Sequence, residues 1–294
     1  MRTQILKNFD LHLAIECLQS GGPVVFPTET VYGLGAPVFN EQAVRKIFEI
    51  KGRPLDNPLI VHIASLDEAD RLAEHLDPPF FLLADRFWPG PLTIVVKKRP
   101  EVPDLVSAGH STIGVRMPSH ETARRLIEGV GEPLAAPSAN LSGRPSPTCI
   151  RDALEDLDGK IGYVIDGGTC EVGIESTVIS LSHPIPTLLR PGSITKEALE
   201  ETLKQKVASP PSSGPILSPG MKYRHYAPKA PVRLIFERGE LQGPFLLPTA
   251  KTLYAELRAA DRRGVDVIQI DCSGSVQKDE ALMNRLLRAA GQIV

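Results

Sequence analysis

The chain has 294 residues, of which 42% are hydrophobic and 23% charged, and its formal net charge is −2 at pH 7. These values disfavour a mainly disordered chain and are typical of a globular protein with one large domain and a smaller one. A net charge so close to zero gives no global attraction to nucleic acid, which argues against a protein that coats DNA or RNA.

Hydrophobic periodicity predicts alternating helices and strands over the first two thirds of the chain. The predicted elements are a helix at 11–19, a strand at 24–26, turns at 27–35, a helix from 41 to about 51, a strand at 59–63, helices at 67–76 and 80–87, strands at 93–96 and 113–117, helices at 120–128 and 149–157, strands at 163–165 and 177–181, and a helix at 195–206. Asn40 suits an N-cap, and Gly52 suits a helix end. The mixture predicts an α/β domain over residues 1–207.

A segment rich in proline, serine and glycine then interrupts this pattern, and it predicts a linker or lid over residues 208–229. The elements predicted beyond it are strands at 232–236 and 265–270 and helices at 250–263 and 280–290. They indicate a second, small α/β unit over residues 230–294. Its core is marginal for its size, so we expect it to lean on the main domain.

Cysteine usage and hydropathy indicate the compartment. The four cysteines stand far apart and form no CxxC pair, which suggests neither a zinc site nor a disulfide framework. Charged side chains interrupt residues 1–18, and no stretch approaches the roughly 18 uninterrupted apolar residues of a membrane span. We therefore expect a cytoplasmic protein that makes no membrane contact.

Four cations stand at predicted strand or helix ends, namely Lys51, Arg53, Arg116 and Arg190. Taken singly, each is more often a solvated surface charge. Arg116 and Arg190 also follow apolar strand residues and precede turns, where α/β folds collect ligand groups. The usual nucleotide signatures are missing, because there is no GxxxxGK[ST] and the pair of glycines at 33 and 35 lacks the third of a dinucleotide fingerprint.

Several polar residues allow two interpretations each. Ser138 and Asn140 follow an apolar run, and they suit a turn or helix cap as well as a binding site. His62 lies inside a predicted strand, where a satisfied core histidine is the commoner case. Ser176 stands at a strand start, where capping is the default interpretation. These residues alone do not decide between structure and function.

Taken together, eight segments resemble the Sua5/YciO/YrdC family in content and order. They are VFPTETVYGL at 25–34, KGRP at 51–54, NPL at 57–59, WPGPLT at 88–93, VRMP at 115–118, APSAN at 136–140, ESTV at 175–178 and LRPG at 189–192. Residues 218–228 and 283–290 are similar to the two-domain Sua5 type rather than to the single-domain YrdC type. So many ordered matches make the resemblance specific.

The resemblance implies an open, twisted, mixed α/β sheet around a cationic cavity, followed by a smaller Rossmann-like domain. That second domain is shortened here, because only residues 237–248 separate its first strand from the next helix. The implied activity joins L-threonine, bicarbonate or CO2, and ATP to threonylcarbamoyl-AMP, with release of pyrophosphate. The product serves the t6A modification at position 37 of tRNA.

Site residues are also implied by the resemblance. The catalytic set is Lys51, Arg53, Ser138 and Asn140. The ATP set is Lys51, Arg53, Asn57, Thr112, Ser138, Asn140, Ser146, Arg190 and Tyr226. The threonine set is Thr30, His62, Arg116, Ala136 and Ser176. Mg²⁺ is expected to accompany ATP, held mainly by phosphates and water, and no protein metal ligands are assigned.

Two rival functions remain at this level. The related domain of hydrogenase-maturation carbamoyltransferases runs carbamoyl chemistry, but it predicts a zinc-finger or acylphosphatase-like neighbour that this sequence lacks. An RNA-binding module is the other, and the net charge argues against it. We expect a downstream threonylcarbamoyl-transfer enzyme that acts on tRNA, and no strong direct binding of tRNA.

Overall fold

The main domain is built on one large sheet. The computed structural model describes residues 2–209, 225–237 and 243–291. The strands of the main domain are β1 (Gln4–Lys7), β2 (Val24–Phe26), β3 (Gly33–Pro37), β4 (Ile60–His62), β5 (Leu92–Lys97), β6 (Thr112–Arg116), β7 (Leu134–Ala135), β8 (Tyr163–Asp166), β9 (Thr177–Ser180) and β10 (Thr187–Arg190). Within the described ranges these ten strands form one mixed sheet in the order β1-β8-β2-β3-β7-β4-β6-β5-β9-β10.

Helices cover both faces of this sheet. They are α1 (His12–Gln19), α2 (Glu41–Lys51), α3 (Pro78–Phe87), α4 (Asp104–Ser107), α5 (Glu121–Val130), α6 (Ile150–Leu157) and α7 (Lys196–Leu203). Strand β2 shows how the sequence achieves this, because successive side chains of a strand point to opposite faces. Val24 and Phe26 pack with α1 and α5, whereas Val25 packs with α2 and α6. An uninterrupted apolar run is the pattern expected of a strand buried on both faces.

The second domain is a small parallel sheet with helices. Its elements are β11 (Val232–Ile235), β12 (Phe245–Leu246), α8 (Leu253–Arg263), β13 (Ile268–Asp271), α9 (Ser275–Lys278) and α10 (Glu280–Ala289). The strands pair in parallel in the order β11-β13-β12. Its hydrophobic core includes Val31 and Ile174 of the main domain. The expectation that this unit leans on its neighbour is therefore confirmed.

The structure corrects two predicted elements. Residues 33–35, predicted as turn, begin strand β3, and their glycines are needed because a Cβ at Gly35 would lie 2.6 Å from the ring of Phe26. The helix predicted at 67–76 is a short 3-10 helix over Leu66–Arg71. It stops early because the following backbone pairs with the end of β5, where the Glu74 N–H donates to the carbonyl of Lys97 at 3.0 Å.

Four short strands are missing from the predicted elements. They are β1, β7, β10 and β12, of four, two, four and two residues. A run this short gives no measurable alternation of apolar and polar positions. Only pairing with a neighbouring strand defines each of them.

The predicted linker falls largely outside the described residues, which omit 210–224. Its described end docks on the main domain, where the Ala227 N–H donates to the Gly143 carbonyl at 2.8 Å. No helix in the described ranges is long and apolar enough to span a bilayer.

Helix α2 delivers Lys51 and Arg53, and its start is capped by Asn40, whose side chain accepts from the Ala43 N–H at 3.0 Å. Replacing Asn40 by Ala should lower the free energy of unfolding by about 1 kcal/mol, because this donor loses its partner. Asn40→Asp keeps an acceptor oxygen and should stay near the wild-type value. Urea denaturation of the three proteins measures the difference. Equal stability of the Ala and Asp variants would contradict the cap.

Candidate functional site

A single cavity gathers most of the sequence motifs. It encloses about 590 Å³, counted out to its open mouth. Its wall combines backbone turns, hydroxyls, two histidines and charged side chains from segments distant in sequence. The lining residues are Thr28, Thr30, Val31, Gly33, Arg53, Ile60, His62, Arg116, Ala136, Pro137, Ser138, Glu175, Ser176, Arg190, His225 and Tyr226.

Three buried arginines give this cavity a positive wall. Arg53 donates through Nε to the Asn57 carbonyl at 3.1 Å and through Nη2 to the Pro58 carbonyl at 2.8 Å. Arg190 donates through Nε to the Ser176 carbonyl at 3.0 Å. Loss of water lowers the pKa of both guanidinium groups, that of Arg53 to about 10, which leaves it charged at neutral pH. The carbonyl partners orient both groups, and Glu175 also interacts electrostatically with Arg190.

Arg116, the third arginine, is held by an ion pair. Its Nη2 lies 2.6 Å from Oε1 of Glu29, and both side chains are buried. Its Nη1 donates to the Thr30 hydroxyl at 2.9 Å, and its Nε donates to the Gly90 carbonyl at 3.3 Å. The guanidinium is thus fixed in orientation at the cavity wall, while Glu29 balances part of its charge.

Lys51, assigned to phosphate by the resemblance, lies behind the cavity wall. Its Nζ donates to the carbonyls of Ser138, at 2.5 Å, and of Asn140. Burial, reinforced by the nearby charge of Arg53, lowers the pKa of Lys51 well below its usual value. In this conformation Lys51 ties the end of α2 to the loop that follows β7.

That loop, residues 138–146, carries the other two members of the implied catalytic set. The Ser138 hydroxyl donates to Oδ1 of Asn140 at 2.5 Å. Nδ2 of Asn140 donates to the carbonyls of Leu141 and Arg144, at 2.8 and 2.9 Å. Ser138 lines the cavity, and Asn140 lies behind it as the centre of the loop's hydrogen bonds.

His62 is neutral in the folded protein. Burial, with the charge of Arg116 as the second cause, lowers its pKa to about 3. Its ring meets that of Phe26 edge-on at 6.2 Å between centroids. Nδ1 is buried and has no hydrogen-bond partner among the described residues. A neutral imidazole with an unused polar atom at the cavity wall can accept or donate one hydrogen bond to a ligand.

Hydroxyl and amide side chains of the predicted set occupy different depths. Ser176 lines the cavity, exchanges a hydrogen bond of 2.7 Å with Thr93 and accepts one of 3.2 Å from Nη2 of Arg190. Ser146 donates to Oε1 of Glu175 at 2.5 Å, behind the wall. Asn57 is buried below Arg53. The structure therefore brings Ser176 to the surface of the cavity and leaves Ser146 and Asn57 as its support.

Thr112 is separate from this group. It lines a second, smaller cavity of about 300 Å³, together with His110 and Gly114. Ile60 lines both cavities, so they are neighbours across β4.

The described end of the linker forms one wall of the main cavity. Tyr226 is buried with a φ of +63°, and its ring lies 5.4 Å from that of Tyr254 and 5.5 Å from the guanidinium of Arg285. Its neighbour His225 also lines the cavity, and burial lowers the pKa of His225 to about 3. This segment joins the second domain to the cavity.

Sequence reasoning missed three of these groups. Glu29 and Glu175 lie within the quoted motifs. The sequence signal that could have identified them is a charged residue flanked by buried hydroxyl residues. His225 adjoins Tyr226 in the linker segment. The Glu175 carboxylate accepts from Tyr254 at 2.8 Å and from Nε of Arg285 at 2.9 Å, so its charge is balanced by the second domain.

The described residues contain no group of three or more His, Cys, Asp or Glu side chains arranged to hold a metal ion. Glu175 is the carboxylate that lines the main cavity, and Ser146, Tyr254 and Arg285 already occupy it.

The fold and the cavity define an α/β protein suited to binding an anionic small molecule. A family model for the Sua5, YciO and YrdC proteins, described as "Telomere recombination", matches residues 16–192. A second, described as "Threonylcarbamoyl-AMP synthase, C-terminal domain", matches residues 194–243 and 246–291. The chain belongs to the Sua5/YciO/YrdC family, as its motifs predicted, and it has the two-domain arrangement of Sua5.

Individual relatives agree over nearly the full length. Threonylcarbamoyl-AMP synthase of Pyrococcus abyssi is 41% identical, over 97% of this chain and 95% of its own. The enzyme of that name from Bacillus subtilis is 41% identical, over 95% of this chain and 92% of its own. The structure of P. abyssi Sua5 complexed with L-threonine has a TM-score of 0.91 at 40% identity and covers 98% of both chains. The predicted fold class is thereby confirmed.

The neutral state of His62 has a consequence for stability. Folded His62 binds a proton only near pH 3, and the unfolded residue does so at about pH 6.5. The unfolded state thus holds more protons in this window, so the free energy of unfolding falls as the pH drops below about 6.5. Between about pH 6.5 and pH 5.5, the wild type should lose about 1 kcal/mol more than His62→Gln.

Urea denaturation of both proteins at the two pH values measures this difference. His225, which has the same low pKa, is present in both proteins and cancels. An identical pH dependence in wild type and variant would show that His62 is not held neutral by the fold.

Proposed function

We propose that this chain is a threonylcarbamoyl-AMP synthase, a nucleotidyltransferase that joins L-threonine, bicarbonate or CO2, and ATP with release of pyrophosphate. The observation that carries the proposal is the single cavity in which Arg53, Arg116 and Arg190 converge with hydroxyl groups. The relatives of that name, at 41% identity over nearly the whole chain, support it. So does the fit to P. abyssi Sua5, whose structure was determined with L-threonine.

The charge of the cavity suits two anionic reactants. An N-carboxylated threonine and ATP repel one another, so an enzyme that joins them must supply positive charge at the point of contact. Arg53 and Arg190 are both buried and both oriented by main-chain carbonyls, so each supplies a guanidinium group at the cavity wall. We assign the phosphates to these two arginines, with the hydroxyl of Ser138 beside them.

Lys51 contributes to phosphate binding in a different way from the two arginines. Its Nζ holds the carbonyls of Ser138 and Asn140, so it fixes the loop that faces the phosphates. We propose that Lys51 acts on the phosphates through the loop that it holds.

Arg116 suits the threonine carboxylate, because a guanidinium can bind both oxygens of a carboxylate in one plane. Glu29 and Thr30 already hold its orientation. His62 and Ser176 line the same cavity and offer hydrogen bonds to the threonine hydroxyl. A site that hydrogen-bonds a substrate hydroxyl discriminates against amino acids that lack one.

The reaction needs two bond changes. The threonine amine attacks CO2 to give an N-carboxylate, and its proton passes to bicarbonate or solvent. A carboxylate oxygen then bonds to the α-phosphorus of ATP, and the bond from that phosphorus to the leaving pyrophosphate breaks. Holding attacker and phosphorus in contact, with fixed positive charge around them, supplies most of the rate in such a transfer.

The described end of the linker covers part of the cavity. Tyr226, held between Tyr254 and Arg285, and His225 cover one side of the cavity. We propose that this segment closes the site over the nucleotide. Mg²⁺ would enter bound to the phosphates of ATP and balance their charge, with phosphate oxygens and water as its ligands.

The product is a reactive mixed anhydride, so an enzyme that transfers the threonylcarbamoyl group to tRNA must consume it. We place this reaction in the cytoplasm, on the evidence of cysteine usage. With a net charge of −2, the chain has no general attraction for tRNA, so direct tRNA binding is not part of the proposal.

Pyrophosphate release from ATP tests the reaction class. We expect release only when threonine and bicarbonate are both present, because each supplies part of the attacking group. The assay adds them singly and together and uses serine, valine and alanine as competing amino acids. Release that needs neither substrate would defeat the proposal, and binding of double-stranded RNA without ATP use would favour the RNA-binding alternative.

The two cations near the phosphates give a second test. Arg53→Ala and Lys51→Ala should each lower the rate of pyrophosphate release by at least about a hundredfold, since the first removes a cation from the cavity wall and the second releases the loop that faces the phosphates. Circular dichroism should show a retained fold. Arg45→Ala, which removes an exposed cation from the outer face of the same helix, is the matched control. Near-normal turnover in both test variants would refute the phosphate assignment.

A further inference from the structure

Helix α8 of the second domain carries an arginine, Arg258, that is fully buried against the main domain. Its Nη2 donates to the Pro145 carbonyl at 2.6 Å and to Oδ2 of Asp156 at 2.9 Å. Its Nη1 donates to Oε2 of Glu155 at 3.3 Å. Both carboxylates belong to α6, so one side chain ties α8 to the loop end and to the helix behind it.

Asp156 passes this contact on to the loop at 138–146. Its Oδ2 accepts from the Leu141 N–H at 3.2 Å, and its Oδ1 forms an ion pair with Arg144. Asn140 donates to the carbonyls of these same two loop residues, at 2.8 and 2.9 Å. The contacts therefore run without a break from Arg258 to Asn140.

From Asn140 the chain of contacts reaches the cavity. Oδ1 of Asn140 accepts from the Ser138 hydroxyl at 2.5 Å, and Ser138 lines the main cavity. Residues 138–146 contain no helix or extended strand, and such backbone opens most easily. Tyr32 and Lys51 hold the start of the loop, where the Ala139 N–H donates to the Tyr32 carbonyl at 2.8 Å and the Ser142 N–H to the Lys51 carbonyl at 2.9 Å. A side chain that fixes this loop at Pro145 and, through Asp156, at Leu141 restricts where Ser138 points.

We propose that Arg258 is a positioning residue: the second domain uses it to hold the 138–146 loop in the conformation that binds ATP. This rests on the proposed function for its kinetic consequence, and on the contacts alone for its structural one. The second domain thus contributes to the nucleotide site through a side chain that does not reach the cavity.

Burial of this charge supports a role beyond stability. A buried ion pair gains little over well-packed apolar residues, because removing both charges from water offsets most of their attraction. Compared with an apolar side chain, Arg258 adds directional hydrogen bonds, since a planar guanidinium binds a carbonyl and two carboxylates at fixed angles. Asp156 keeps Arg144 as a partner when Arg258 is replaced, so the helix does not acquire an unpaired buried charge.

Arg262, one turn further along α8, provides a matched control. It donates to Oδ1 of Asp152 at 3.0 Å and to Oε1 of Glu155 at 2.7 Å. It therefore bridges the same two helices as Arg258, with its bonds directed to α6 rather than to the loop. Leu257→Ala creates a cavity in the core of the second domain and therefore controls for a loss of stability alone.

The experiment compares Arg258→Met, Arg258→Lys, Arg262→Met and Leu257→Ala in the full chain. We expect Arg258→Met to raise KM for ATP about tenfold. A displaced loop holds Ser138 in the wrong place, and misplaced binding groups weaken the binding of ATP. KM for threonine should stay within about twofold. Arg258→Lys, which keeps the charge and loses the planar contacts, should lie between Arg258→Met and the wild type. Arg262→Met and Leu257→Ala should leave both KM values unchanged.

Amide hydrogen exchange without substrates gives a readout that does not depend on activity. The amides of residues 141–146 should exchange about tenfold faster in Arg258→Met than in Arg262→Met. Equal loop exchange and equal KM for ATP in these two variants would overturn the inference. A wild type that fails to release pyrophosphate would instead refute the proposed function, and loop exchange would still decide the role of Arg258. If Arg258→Met does not fold, the same comparison is made with Arg258→Lys.

Discussion

The structure depends on keeping several basic side chains out of water around one cavity. Arg53 and Arg190 direct hydrogen bonds to main-chain carbonyls, and Lys51 does the same behind the wall. A carbonyl satisfies a guanidinium or ammonium donor but carries no net charge, and Glu175 is a carboxylate that also interacts with Arg190. The cost is visible as lowered pKa values for all three groups. An anionic ligand offsets this desolvation cost, so part of the cost is recovered as binding free energy.

The fold makes this arrangement possible by bringing turns from distant parts of the chain to one place. Arg116 ends β6, Arg190 ends β10, and the 138–146 loop follows β7, so strand order in the sheet rather than order in the sequence sets their spacing. Arg116 differs from Arg53, because Glu29 forms an ion pair with Arg116 and main-chain carbonyls hold Arg53. A carboxylate partner suits a group that orients a single carboxylate.

The second domain completes the site from outside. Glu175, the carboxylate of the cavity wall, is bound by Tyr254 and Arg285 of that domain. Tyr226 lies against the same two residues, and Arg258 supports the loop on the other side. Arg258 and Arg285 both reach across the domain boundary to carboxylates of the main domain. The marginal core of a small domain is thus compensated by a shared, polar interface, and the two domains are coupled where the ligands are expected to bind.

The sequence by itself determined the class of fold, the α2 helix between Asn40 and Gly52, most of the longer strands and the family, because hydrophobic period, caps and ordered motifs are local properties of the chain. Only the tertiary structure decided that residues 33–35 form a strand against the ring of Phe26, that Lys51 points to main-chain carbonyls instead of into the cavity, and that Thr112 lies in a neighbouring hollow. It also decided that Arg258, which lies on a helix with no motif, supports the 138–146 loop. Contacts with groups that are a hundred residues away in sequence fix the position of a side-chain tip. A local sequence pattern carries no information about such contacts.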